Sequence, residues 1–283
     1  MEKKKKSGKK TVYTVIGMIA LVAALVCVTI LAVKQYRMWK AERLYDQMAD
    51  ATTLPASSDV TKSGETETES LAAEEDTAEE PEAYTGEIPE KNIDFEELHA
   101  TISEDIYAWI YIPNTHVDYP IFQDPVDNTY YLTHNVDGSE GYPGCIYTEN
   151  YNSKDFSDPH TVIYGHNMRD TTMFSDLHLY EDQAFFDNNR YVFIYTEDGQ
   201  TLVYKIFAAY QTNNSHQLLN FDFSDPQTLL EYLENTPLRM QEPCIYDDTT
   251  EFSEDDQILT LSTCVIQERQ FHLRYLVQAL RVK

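Results

Sequence analysis

The pattern of apolar and polar positions divides the chain into stretches of different character. "TVYTVIGMIALVAALVCVTILAV", residues 11–33, runs 23 positions without a charge. As a helix it would be about 35 Å long, enough to cross a ~30 Å hydrocarbon core. A signal-peptide core is shorter, about 7–15 residues, and ends in an A-x-A-like site not found here. The run therefore predicts an uncleaved transmembrane helix. Residues 51–90 have no apolar period and hold 12 acidic residues, one lysine and one aromatic. Such a segment cannot bury enough surface to offset its ordering entropy, so it predicts a disordered tether. Like charges would extend it beyond the roughly 35 Å of a flexible coil of that length.

From Lys91 onward the aromatics return and apolar positions recur with a period of two. The segments "AWIYIP", "HVDYPIF", "GCIYT", "HTVIYG", "RYVFIYT", "TLVYKIFAAYQ", "QILTLST" and "FHLRYLVQALRV" read as strands. Eight short strands separated by turn signals predict a mostly β fold, a closed and mainly antiparallel barrel. "NIDFEELHATI" predicts a leading helix. The long connections "TTMFSDLHLYEDQAFF" and "SDPQTLLEYLEN" predict inserted helices, the second with Ser224 or Asp225 as N-cap. The expected organisation is a basic tail (1–10), a membrane helix (11–33), a juxtamembrane segment (34–50), the tether (51–90) and a folded domain (91–283).

Charge narrows the class of partner. The first ten residues hold six lysines, and Lys34, Arg37, Lys40 and Arg43 follow the apolar run, so the positive-inside rule only slightly favours a cytoplasmic N-terminus. Tyr36 and Trp39 suit an interfacial position on the far side. From Leu44 onward 46 acidic residues (48 less Glu2 and Glu42) face 11 basic ones, a net of about −35. Phosphate backbones would be repelled, which argues against nucleic acid as a partner. Cys145, Cys244 and Cys264 show no zinc-ligand spacing, and no Gly-rich phosphate loop is present. No metal or cofactor is expected, and a single Cys145–Cys244 bridge stays open.

Candidate chemistry lies at strand ends. "ILTLSTC" stops at Cys264, the following strand carries Arg274, and "TVIYGHNM" places His166 on the loop after a strand. Each alone has an ordinary structural explanation. Cysteine is often a small buried hydrophobe, an arginine in a strand is usually solvated or ion-paired, and His166 is one of eight histidines. Together they supply a nucleophile, a proton shuttle and an oxyanion stabiliser, the groups acyl transfer through a thioester requires. A barrel can unite residues separated by 98 and ten positions. Ser262 and Thr263, just before the thiol, are candidate substrate contacts.

"TVIYGHNM" followed by "MFSDL", and "LTLSTC" followed ten residues later by an arginine, resemble a sortase, a cysteine transpeptidase of Gram-positive cell surfaces. "WIYIPNTHVDYPIFQ" and "NTYYLTHN" resemble the opening strands of the class B branch. The likeness spans about residues 92–283. It implies an eight-stranded sortase barrel and assigns the catalytic positions to His166, Cys264 and Arg274. Arg269 is a rival for the arginine role, but the apolar "RYLV" that follows the family's arginine begins at Arg274. Behind the cysteine, "VIQERQ" opens on apolar residues where relatives often carry an acidic one. Cys145 stands where relatives commonly have a small residue, and reads as core filling.

The resemblance further implies that the Cys264 thiolate attacks the threonine carbonyl of a C-terminal sorting signal of Pro-x-Thr type. His166 would protonate the leaving amine, and a peptidoglycan amine would resolve the thioester. The enzyme would be a single-pass membrane protein with its catalytic domain at the cell wall. An ordinary thiol and imidazole give about 3% thiolate and 24% imidazolium at pH 7, hence below about 1% of the reactive pair unless an ion pair forms. Pilin polymerisation, hydrolytic release and a non-catalytic binding module of the same fold are the competing readings. The pilus reading is disfavoured by the lack of an Asp-Pro-aromatic lid motif in the tether.

Overall fold

In the computed structural model, described for residues 3–52, 86–265 and 273–283, the chain forms two units, Met1–Leu44 and Tyr45–Lys283. Most of the expected tether and the rival Arg269 lie outside the described residues. The first unit is helical from Lys3, the start of helix α1 (Lys3–Thr52). Ile19, Leu21, Leu25 and Leu31 are all exposed, so the apolar surface runs around the helix instead of forming one stripe. Among the described residues this is the helix long and apolar enough to cross a membrane.

The second unit is built on nine strands: β1 (Ile106–Tyr111), β2 (Asp118–Phe122), β3 (Ile146–Thr148), β4 (His160–Tyr164), β5 (Tyr191–Thr196), β6 (Thr201–Asn213), β7 (Gln241–Tyr246), β8 (Ile258–Cys264) and β9 (Leu273–Arg281). Their order is β5-β1-β2-β3-β4-β8-β9-β6-β7, and a further β5–β6 pairing closes the first eight into a barrel. These eight are the strands the apolar pattern predicts. The ninth, β7, pairs with β6 at 208–211, on the stretch that β5 leaves open after Lys205. Sequence reading misses it because "QEPCIY" carries Pro243, which demotes a run to an edge or to no strand at all. The β2–β3 and β4–β8 pairs are parallel and the other pairings are antiparallel.

Helices cover the barrel. Helix α2 (Phe95–Thr101) is the leading helix, capped by Asp94 accepting from the Glu97 amide. Helix α3 (Tyr130–Thr133) precedes β3. The segment expected as one helix over 171–186 splits into a 3-10 helix (Ser175–Glu181) and α4 (Gln183–Asn188). Asp182 causes the break: its extended backbone ends the first piece while its carboxylate caps the second. After β6 come α5 (Gln217–Asn220), α6 (Pro226–Glu234) and α7 (Thr236–Arg239). Asp225 caps α6, Pro226 opens it, and Leu229, Tyr232 and Leu233 form its buried i, i+3, i+4 face. That face packs with Phe207, Tyr210 and Leu276 of the barrel wall.

The sequence reading begins the folded domain at Lys91, yet the packed unit also takes in residues 45–52. Tyr45 and Met48 are buried, and the Tyr45 hydroxyl donates to the Gly144 carbonyl at 2.8 Å. The Tyr45 ring meets Tyr119 edge-on, and the Asn92 amide donates to the Thr52 carbonyl. An i, i+3, i+7 spacing aligns Tyr45, Met48 and Thr52 on one helix face.

Candidate active site

Strand register builds the site. Strands β4 and β8 run parallel with Tyr164 opposite Ser262, so Gly165 and His166 emerge beside Thr263 and Cys264. The Gly165 amide donates to the Ser262 carbonyl at 3.1 Å, and the Thr263 hydroxyl donates to the Gly165 carbonyl at 2.8 Å. Strand β9 runs antiparallel to β8 and places Arg274 directly opposite Cys264. Thiol, imidazole and guanidinium thus sit on neighbouring strand ends at one rim of the barrel. Ser262 and Thr263 are buried, and the Thr263 hydroxyl is spent on tying β8 to the end of β4.

His166 is held in a narrow slot. Its Nε2 lies 2.7 Å from the Leu132 carbonyl; that oxygen can only accept, so Nε2 carries the proton of this bond. The ring packs against Tyr142 with centroids 4.9 Å apart. Gly144 adopts φ +69°, and a Cβ there would come within 2.9 Å of the Leu132 and Tyr131 carbonyls and 3.3 Å of His166 Cδ2. Only glycine fits that approach without displacing the loop. Burial lowers the His166 pKa from its ordinary value, with a smaller push the same way from Arg274; the Leu132 bond acts in the opposite sense. Neutral imidazole is thereby favoured near neutral pH.

Around the sulfur, the backbone carbonyl of Cys264 accepts from Asn167 Nδ2 at 2.9 Å and faces His178 Nε2 at 3.2 Å. Neither side chain stands out in the sequence by type or spacing. Asn167 could have been noticed as the neighbour of His166 in "GHNM". His178 gave no signal, because its partner lies 86 positions away. Cys145 is buried as core filling, with burial pushing its thiol pKa up. Cys145 and Cys244 are free thiols, so the bridge left open by sequence does not form.

A family model described as "Sortase domain" matches residues 110–282. The chain belongs to the sortase family. Its similarity to the Sortase B of Listeria monocytogenes is 33% identity over 179 residues, covering 63% of this chain and 69% of that protein. The solved structure of Clostridium perfringens Sortase B is similar at 30% identity with a TM-score of 0.59, covering 67% of this chain and all of that one. A Streptococcus pyogenes class B sortase described as involved in pilus biogenesis is similar at 26% identity and TM-score 0.55, covering 67% of this chain and 98% of that one. This sortase resembles the class B branch, as its opening strands suggest, and is a cysteine transpeptidase, not a non-catalytic binding module.

Proposed function

We propose that this sortase is membrane-anchored through residues 11–33, cleaves a C-terminal sorting signal after threonine, and transfers the surface protein to a peptidoglycan amine. The observation that carries the reading is the register that stands Cys264 opposite Arg274, with His166 at the end of the adjoining strand. In the first step the Cys264 thiol passes its proton to His166, the thiolate bonds to the threonine carbonyl carbon as the carbonyl π pair moves onto oxygen, and Arg274 donates to the oxyanion that forms. The bond from threonine to the next residue then breaks as His166 gives its proton to the leaving amine. An acceptor amine attacks the thioester carbonyl, its proton passes to His166, and the C–S bond breaks to release the thiolate. With Nε2–H engaged by Leu132, Nδ1 is the nitrogen assigned to the mobile proton. The proposed steps call on no metal or cofactor. Thr263 is assigned to holding the nucleophile strand, and Ser262 to the substrate side of the same rim.

The N-terminus is placed in the cytoplasm and the 91–283 domain outside, at the wall. Acidic surroundings attract a cationic amine, although screening confines that help to about 8–10 Å. A pilus-building role is the second reading, favoured by the similarity to the Streptococcus pyogenes enzyme. Trapping the acyl-enzyme from a peptide library and reading the peptide by mass tests the first half-reaction, with Cys264→Ala as the control. Turnover by that variant would overturn the nucleophile assignment. Single adducts on a wall-peptide mimic support anchoring; ladders of a pilin subunit with the mimic ignored support polymerisation.

A further inference from the structure

The role of Cys264 as nucleophile, on which this inference rests, demands that its sulfur be held steady at the last residue of β8. The carbonyl of that residue is approached by His178 Nε2 at 3.2 Å, while His178 Nδ1 lies 2.6 Å from Glu181 Oε1. His178 and Glu181 belong to the 3-10 helix Ser175–Glu181, far from Cys264 in sequence. Both oxygens facing the ring are acceptors, so a ring protonated on both nitrogens satisfies both contacts at once. The imidazole also stacks on Tyr275, with centroids 4.7 Å apart and planes 29° from parallel. Tyr275 pairs with Thr263 in the ladder, whereas Arg274 pairs with Cys264. Successive side chains alternate across a sheet, so Tyr275 lies on the face opposite the thiol and the guanidinium.

We infer that Glu181 and His178 form a positioning pair that grips the Cys264 peptide from behind and fixes the sulfur toward the Arg274 face. Glu181 orients the imidazole, the imidazole holds the Cys264 carbonyl, and Tyr275 limits the tilt of the ring. The pair lies against the Tyr275 face, away from the thiol and the guanidinium, and is assigned a positioning role with no contact to the reacting atoms. A small misplacement of a nucleophile can cost about a hundredfold in rate, which gives such a grip kinetic weight.

Full-length enzyme in detergent, assayed with a sorting peptide and an amine, provides the test. His178→Phe keeps a ring on Tyr275 but removes both polar contacts. Expected are a fall in kcat of about tenfold to a hundredfold, KM within about twofold of the parent, and slower alkylation of Cys264 followed by peptide mass mapping. His178→Gln, which can still donate to the Cys264 carbonyl, should recover most of both losses, and Glu181→Gln should show a smaller loss of the same kind. Parent-like kcat and alkylation in His178→Phe, a rise in KM alone, or a glutamine variant as slow as phenylalanine would each overturn the pairing. If Cys264→Ala is inactive and His178→Phe is unimpaired, only the pairing falls; if Cys264→Ala turns over normally, the nucleophile assignment falls with it.

Discussion

Cys264 and Arg274 face each other across the last rung of the β8–β9 ladder. Directly opposed residues of antiparallel strands point to the same face, with Cβ atoms about 4.5–5.5 Å apart. A separation of ten in sequence becomes a single rung in space. On the proposed mechanism this rung presents the nucleophile and the oxyanion donor to one carbonyl group.

Arg274→Lys should therefore slow acylation by about 10²–10³, because lysine keeps the charge but loses the planar fork. Arg269→Lys should leave acylation near the parent rate. Single-turnover acylation of the two variants, side by side, checks the choice of arginine; a larger loss at Arg269 would reverse it.

On the proposed mechanism His166 should shape the pH profile. Burial and Arg274 hold its pKa below the ordinary 6.5, so its loss of a proton is complete at a lower pH than for a free imidazole. The acid-side limb of kcat/KM should accordingly have its midpoint below pH 6.5. A midpoint at or above that value, measured with a non-titrating peptide and amine, would contradict this environment for His166.

His160 should govern stability toward acid. It is fully buried at the start of β4, its Nε2 is 2.8 Å from the Thr260 hydroxyl, and its Nδ1 has no partner among the described residues. Burial, aided by Arg239, pulls its pKa down to about 3, below the 6.5 of the unfolded chain. The unfolded state then binds more protons between those values, so stability is full above about pH 6.5 and falls as pH drops toward 3. The loss should approach about 1.4 kcal/mol per pH unit in that window. Denaturant titrations from pH 7 to 4 should show this slope, and His160→Gln should flatten it.

Residues 45–52 should stabilise the barrel. Full burial of side chains such as Tyr45 and Met48 contributes about 1.5–3 kcal/mol each. A fragment of residues 91–283 should fold, but unfold at lower denaturant than one of residues 41–283. Equal midpoints would show that the helix end adds nothing to barrel stability.

Gly144→Ala tests the slot around His166. The substitution imposes a positive φ on a residue with a Cβ and forces that atom against two carbonyl oxygens. A cost of about 1–3 kcal/mol in stability is expected, with loss of activity at temperatures where the variant remains folded. Parent-like stability and rate would mean that the loop yields freely.

Local chemistry made much of this protein legible in its sequence. A run of 23 uncharged residues specifies a long helix with apolar side chains on every face, as α1 has. Eight β-rich runs, and caps such as Asp94 and Asp225, specify strands and helix starts from their own residues and near neighbours. The thiol, imidazole and guanidinium could be singled out by type and by resemblance. Tertiary structure alone decided what depends on pairing between distant segments. Strand β7 exists because β6 has an unpaired edge beyond β5, a fact invisible in "QEPCIY" itself. The register of β4, β8 and β9 determines which side chains meet, and a one-residue slip would turn Cys264 or Arg274 to the other face. His178 reaches Cys264, and Tyr45 reaches Gly144, across 86 and 99 positions. No local preference encodes those contacts; they follow from tertiary packing, of the 3-10 helix Ser175–Glu181 beside β8 and of residues 45–52 of α1 against the loop before β3.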